Sequence, residues 1–165
     1  MLQVGLMYKL LPILLLFVQV GDLSARGPSQ LYMVLAGEQR YRVEVAVSPE
    51  QRQKGLMHRQ KLDDGHGLLM ILEQERIIPI WMKNTYIPLN VVWISADGSI
   101  VERATLFPCK RAPCPVHIPK SPARFVLEVG AGQFPLKIGD KVEILDASGD
   151  SLLPLEPGQI PGDNS

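Results

Sequence analysis

Ile77-Ile78-Pro79-Ile80-Trp81-Met82-Lys83-Asn84-Thr85-Tyr86-Ile87-Pro88-Leu89-Asn90-Val91-Val92-Trp93-Ile94 is the stretch on which the fold turns. An apolar run enters it and a second leaves it, each of strand length and rich in β-branched residues. That is the pattern of buried strands. Between the runs stand Lys83, Asn84 and Thr85, polar residues closed by Pro88. Asn and Thr build turns of the side-chain-to-backbone type, and a turn is the first reading here. The second is a site, with Asn84 and Thr85 as donors to a ligand. Trp81 and Trp93 lie in apolar runs and are read as core.

The rest of the chain repeats this β-rich pattern. Leu31 to Ala36 and Gln39 to Val47 read as a hairpin around Gly37-Glu38. In the second strand Tyr41, Val43, Val45 and Val47 share one face and Arg40, Arg42 and Glu44 the other. Ser48-Pro49-Glu50-Gln51 is a helix start, with Ser as the cap, Pro at the first position and Gln three residues on. Gly55 ends that helix after about two turns. Leu68 to Leu72 and Ile77 to Met82 are read as strands. Val91 to Ser95 and Ser99 to Leu106 form a hairpin around Asp97-Gly98. Arg124 to Val129 and Val142 to Leu145 complete the set. Fourteen prolines and fourteen glycines in 165 residues favour turns over long helices. The expected class is mainly β (α+β): a small antiparallel or mixed sheet, barrel-like, with short helices.

Leu10 to Val20 is an apolar run too short to span a bilayer comfortably, which takes roughly 20 residues. With Lys9 before it and Leu23-Ser24-Ala25 after it, the layout is that of a secretory signal peptide over residues 1–25. An uncleaved N-terminal anchor is the alternative. Residues 26–146 then form a single β-rich domain and 147–165 a disordered tail. Cys109 and Cys114 are the only cysteines, and in an exported chain this pair is read as one disulfide. Seventeen basic and seventeen acidic residues balance, leaving no overall electrostatic footprint for nucleic acid or an anionic membrane. The expected location is periplasmic or extracellular, without stable membrane insertion once the signal is cleaved.

Several blocks together resemble a known family. Arg52-x-x-Gly55-Leu56-Met57-x-Arg59, Gly67-Leu68-Leu69 and Trp81-Met82-Lys83-Asn84-Thr85-x-x-Pro88-Leu89 occur in order. Asp97-Gly98-x-Ile100-Val101, Ser121, Val126-Leu127-Glu128-Val129-x-Ala131-Gly132 and Gly139-Asp140-x-Val142 follow. This series resembles the prokaryotic "domain of unknown function 192" family, in its exported form with a Cys pair before the Ser121 position. The resemblance implies a compact β-rich domain with short helices and implies no activity. Asn90, His58 and His117 depart from it, standing where Asp, an aromatic and Tyr are common.

The candidate ligand-binding residues are Arg52, Arg59, Lys83, Asn84 and Thr85, which would hold a carboxylate, phosphate or sugar acid if they converge. The structural reading pairs an Arg with Glu128, because a Glu in an apolar strand needs a partner. No nucleophile elbow or glycosidase carboxylate pair is evident, and no catalytic residue, cofactor or metal ligand is assigned. His58, His66 and His117 lack ligand spacing, although with Met57, Met70 and Met82 they offer a soft copper(I) set. The residues thus point to an exported envelope protein, a non-enzymatic binding or accessory domain for a polar or anionic ligand or an envelope partner. The alternatives are a small hydrolase or transferase on a polar or sugar-like substrate, and a metal or redox accessory protein.

Overall fold

The computed structural model describes residues 31–156 and 158. The signal-peptide reading of residues 1–25 lies outside them. Among the described residues nine strands and one helix follow in order: β1 (Leu31–Ala36), β2 (Gln39–Ala46), α1 (Pro49–Lys54), β3 (His66–Arg76), β4 (Ile80–Trp81), β5 (Leu89–Ile94), β6 (Ile100–Leu106), β7 (Val116–His117), β8 (Ala123–Gly130) and β9 (Glu143–Leu145). Seven form one mixed sheet in the order β6-β5-β8-β3-β2-β1-β9, and β4 pairs with β7 in a small separate ribbon. The class is mainly β, as expected.

The local chemistry follows the sequence closely. Gly37 takes φ 65° in the β1–β2 loop, the left-handed backbone that a two-residue hairpin turn needs. Ser48 caps α1 through a reciprocal box: its hydroxyl accepts from the Gln51 N–H at 3.2 Å, and the Gln51 side chain accepts from the Ser48 N–H at 2.9 Å. Gly55 ends the helix at positive φ and donates to the Gln51 carbonyl. Asp97 and Gly98 form the β5–β6 turn. There the Asp97 carboxylate accepts from Ser99 and Lys141, which holds it well below the usual carboxylate range, with Ser95 the strongest contributor.

Where strands join up is less local. β2 and β3 pair in parallel, with Arg42 opposite His66 and Ala46 opposite Met70. A parallel pair requires a crossover, and α1 with the segment after it supplies one. β8 then inserts between β3 and β5, antiparallel to both. The sheet curls so that segment 139–142 bridges its two edges. Before it enters β9 beside β1, this segment bonds to the start of β6: Ile100 N–H to Asp140 O and Gly139 N–H to Ile100 O, both at 2.8 Å.

Both faces of the sheet are covered. One carries Val34, Tyr41, Val43, Leu69, Phe125 and Leu127 under Phe134, Val142 and Leu155. The other carries Leu68, Met70, Val91, Trp93 and Val126 under Leu56, Ile78, Ile80 and Met82. Every residue of β5 is buried. This is why it reads as a continuous apolar run rather than an alternating one.

Three expectations are corrected. The run from Ile77 to Met82 is a strand only at Ile80–Trp81, since Pro79 has no N–H to pair. Trp81 is 38% exposed, whereas Trp93 is fully buried with its indole N–H on the Ile78 carbonyl. Residues 147–156, assigned to a disordered tail, pack instead. Leu152 N–H bonds to Ile144 O at 2.8 Å, Leu155 enters the core, and the buried Arg124 donates to the Glu156 carbonyl.

Asn90 has a structural use. Its Oδ1 accepts from the Gly132 N–H at 2.8 Å, and its amide donates to the Thr105 hydroxyl at 2.8 Å. Asn90→Ala strands these partners and should cost about 1–3 kcal/mol. Asn90→Asp keeps the acceptor and lets the Thr105 hydroxyl reverse its role, so its loss should be well under half of that in chemical denaturation. Equal losses for the two variants would refute this role.

Candidate functional site

Glu128 stands in β8, the strand between β5 and β3, opposite Val91 on one side and Leu68 on the other. Its side chain points to the face that α1 and the 77–89 loop cover. It is 5% exposed, and its Oε2 has no hydrogen-bond partner among the described residues. Burial pushes its pKa up from 4.5 to about 7, opposed only by the Leu56 backbone N–H. A carboxyl group in an apolar strand keeps its proton because the ion would be poorly solvated there.

Above Glu128 the cover is incomplete. A cleft of ≈ 500 Å³ opens between α1 with Gly55-Leu56-Met57 on one side and Arg76 to Trp81 on the other. Its apolar wall includes Leu56, Met70, Ile78 and Ile80. Arg52, Lys54 and Arg76 supply positive charge, and Glu128 is the one acidic residue lining it. Gly55 brings its backbone close over the carboxyl group. A Cβ there would stand 3.3 Å from Oε2, and φ is +46°.

The predicted residues separate. Arg52 and Thr85 line the cleft, but the Arg52 guanidinium is committed to the backbone. It donates to the Val47 carbonyl and, at 3.2 Å, to the Ile71 carbonyl. Desolvation is the main cause that lowers its pKa. Arg59 is elsewhere, with one nitrogen 2.6 Å from both oxygens of Glu44 on β2. Lys83 is exposed, with its ammonium 5.1 Å from the centre of the Trp81 ring. Asn84 takes φ 55° and offers its carbonyl to the His58 N–H at 2.7 Å. Thr85 is buried, with its N–H on the Met82 carbonyl and its hydroxyl on the Lys83 carbonyl. The Asn-Thr pair therefore builds the turn.

The ion pair expected at Glu128 does not form among the described residues. The ion pairs there join Arg59 to Glu44, Lys61 to Asp63 and Lys141 to Asp97. The Arg on the short helix satisfies the Val47 and Ile71 carbonyls instead. Lys54 and Arg76 are missed from the sequence, where charges on a helix end and in a turn read as solvated. The histidines stay apart: His58 meets Tyr86, His66 the Asp64 carbonyl, and His117 the Trp93 ring at 5.0 Å. No group of three His, Cys, Asp or Glu among the described residues could hold a metal ion. The disulfide between Cys109 and Cys114 is present.

Comparison with known proteins places this geometry. The family model for domain of unknown function 192, described as "Uncharacterized ACR", matches residues 32–144. Among solved structures the chain is similar to one from Sinorhizobium meliloti 1021, described as a candidate transcription regulator. Identity is 30% and the TM-score 0.61, covering 69% of this chain and 92% of that one. It is also similar to a protein of unknown function from Novosphingobium aromaticivorans DSM 12444, at 28% identity and a TM-score of 0.61, over 68% of this chain and 83% of that one. No curated protein matches the chain.

The raised pKa of Glu128 has a signed consequence. Between 4.5 and about 7 the unfolded chain has released the proton and the folded one holds it, so stability falls as pH rises through that window. The loss reaches about 3 kcal/mol above it. Glu128→Gln should match the wild type at pH 4 and exceed it in melting temperature at pH 8. A constant gap between the two proteins across this range would contradict the assignment. Lys83→Ala, by contrast, should cost less than about 1 kcal/mol, the range of an exposed cation–π contact. A larger loss in denaturant titration would place Lys83 in the fold.

Proposed function

We propose, for a chain that belongs to the domain of unknown function 192 family, a role as an envelope binding protein for a small molecule carrying an acidic group on an apolar body. The observation that carries this reading is the unpartnered Oε2 of Glu128 beneath an open cleft. A buried polar atom without a partner costs about 1–3 kcal/mol. A ligand that hydrogen-bonds there removes that cost. With its proton retained up to about pH 7, the carboxyl group donates to an anionic oxygen. Arg76 and Lys54 form no ion pair among the described residues and attract the same group. The apolar wall takes the rest of the molecule, as in other small-molecule pockets.

The enzyme alternative draws on the same group. A carboxyl titrating near 7 is suited to general acid–base work at neutral pH, which favours a hydrolase or transferase acting in this cleft. Thr85 is the one hydroxyl residue lining it, and its Oγ1 faces the Lys83 carbonyl at 3.4 Å. Binding is therefore the first reading. A metal or redox role has less support, since the histidines are spread among separate neighbours. The regulator description of the Sinorhizobium protein stays with that protein, because the formal charge here is zero. The signal-peptide pattern of residues 1–25 and the Cys109–Cys114 disulfide support export. No described helix is long and apolar enough to cross a membrane.

Phenylacetate, a ring bearing one carboxylate, serves as the probe. Its titration should move amide signals of residues 52–57, 76–81 and 128, and binding should weaken as pH passes about 7. Glu128→Gln retains a donor and should bind without that pH dependence, whereas Glu128→Leu should not bind. Shifts spread outside these segments, or binding unaffected by Glu128→Leu, would overturn the reading.

A further inference from the structure

The β4–β7 ribbon has two unlike faces. Ile80 pairs with His117 and Trp81 with Val116. Ile80 is buried and His117 lies on Trp93, so this pair faces the core. Paired residues share a face and alternate along a strand. Trp81 and Val116 therefore face outward, and Ile118 follows Val116 by two residues. Their exposures are 38%, 51% and 65%. Phe107, 70% exposed, and Tyr86, 50% exposed, stand on the segments that the Cys109 N–H to Met82 carbonyl bond ties together. Five of the seven large exposed apolar side chains of the described residues thus come from this region, the others being Ile77 and Ile138. Such concentration marks an interaction surface.

The formal charges carried by the two segments have one sign, although the Glu102 carboxylate on β6 accepts from the Lys120 N–H at 3.4 Å. No Asp or Glu occurs between Glu75 and Asp97, nor between Glu102 and Glu128. Those two segments carry Lys83, Lys110, Arg111 and Lys120, all exposed. Lys83 covers one face of Trp81, and the disulfide closes the loop that bears Lys110 and Arg111. The balanced overall charge therefore conceals a cationic, aromatic region. Trp and Tyr rings with apolar bodies and polar tips suit the headgroup level of a bilayer, and neighbouring Lys and Arg are drawn to anionic lipid. Val116 and Ile118 are aliphatic and offer nothing to a base edge or a phosphate, which favours lipid over nucleic acid.

We propose that the outer face of the β4–β7 ribbon, with Tyr86, Phe107 and the Cys109–Cys114 loop, docks reversibly on an anionic lipid surface. The side chains enter the interface and do not span it. This reading needs no ligand in the cleft, although Trp81 borders both surfaces.

The test is co-sedimentation of the full 165-residue chain with vesicles of one part phosphatidylglycerol to two parts phosphatidylcholine, against phosphatidylcholine alone. Any binding through residues 10–20 is common to all variants and cancels in the comparison. The wild type should bind the anionic vesicles more tightly, and added salt should weaken it. Phe107→Ser/Ile118→Ser and Lys110→Glu/Arg111→Glu should each bind at least about tenfold more weakly. All four positions are exposed, and unchanged melting temperatures confirm that the variants fold. Equal sedimentation of wild type and both variants overturns the proposal. So does a salt-independent preference, a dimer that Ile118→Ser dissociates in the absence of lipid, or duplex DNA binding that the same variants abolish.

Discussion

The burial of β8 on both faces is the constraint from which the rest of the architecture follows. It has β5 on one side and β3 on the other, so its backbone from Phe125 to Val129 is paired on both sides and the side chains there need cover. On one face the curl of the sheet and the chain from Phe134 to Leu155 provide it. On the other, no long helix is available among the described residues. The irregular segments around Leu56 and Ile80 do the covering, and α1, which buries none of its residues, borders the cleft. A cover made from loops leaves gaps, and the gap here lies over the one carboxyl group in the strand.

Loop cover has a second cost, the backbone groups that lie off the sheet ladders. Buried groups of this kind must find partners. Arg52 is spent on the carbonyls of Val47 and Ile71, the Asn84 carbonyl on the His58 amide, and the Asn90 side chain on the Gly132 amide. These residues hold irregular chain in place. The groups left for chemistry are therefore few: Glu128, whose Oε2 the fold does not satisfy, and the rim cations Lys54 and Arg76.

Legibility from sequence divides along the same line. The Ser48 capping box, the Gly37 and Asp97-Gly98 turns, the Cys pair and the buried character of Val91 to Ile94 are local patterns, and each can be read from a few neighbouring residues. The parallel β2–β3 pairing and the two-residue ribbon strands depend on contacts far along the chain. The 147–156 segment reads as a tail because its one apolar cluster, Leu152 to Leu155, follows a polar run and is broken by Pro154, yet Leu155 finds the core. Arg52 and Thr85 are identified as cleft residues on the strength of their motif blocks, whereas Arg59 and Lys83 stand in equally marked blocks and have other partners. Glu128 stands out from its apolar strand, but no pattern within the strand tells whether a counter-ion exists.

The sheet order also sets when the chain can complete its fold. During synthesis β3 and β5 both emerge well before β8, the strand that joins them, and β2 can pair with β3 only across the α1 crossover. The β5–β6 hairpin is local, but it cannot join the rest of the sheet until residue 130 has been made. β1 gains its outer neighbour only with β9 at Glu143–Leu145, and Leu155 closes the first core face later still. Assembly therefore runs from local hairpins to a late, long-range docking step, the kind of topology that folds slowly. The last stretch of chain decides when the apolar sheet is finally sealed from water.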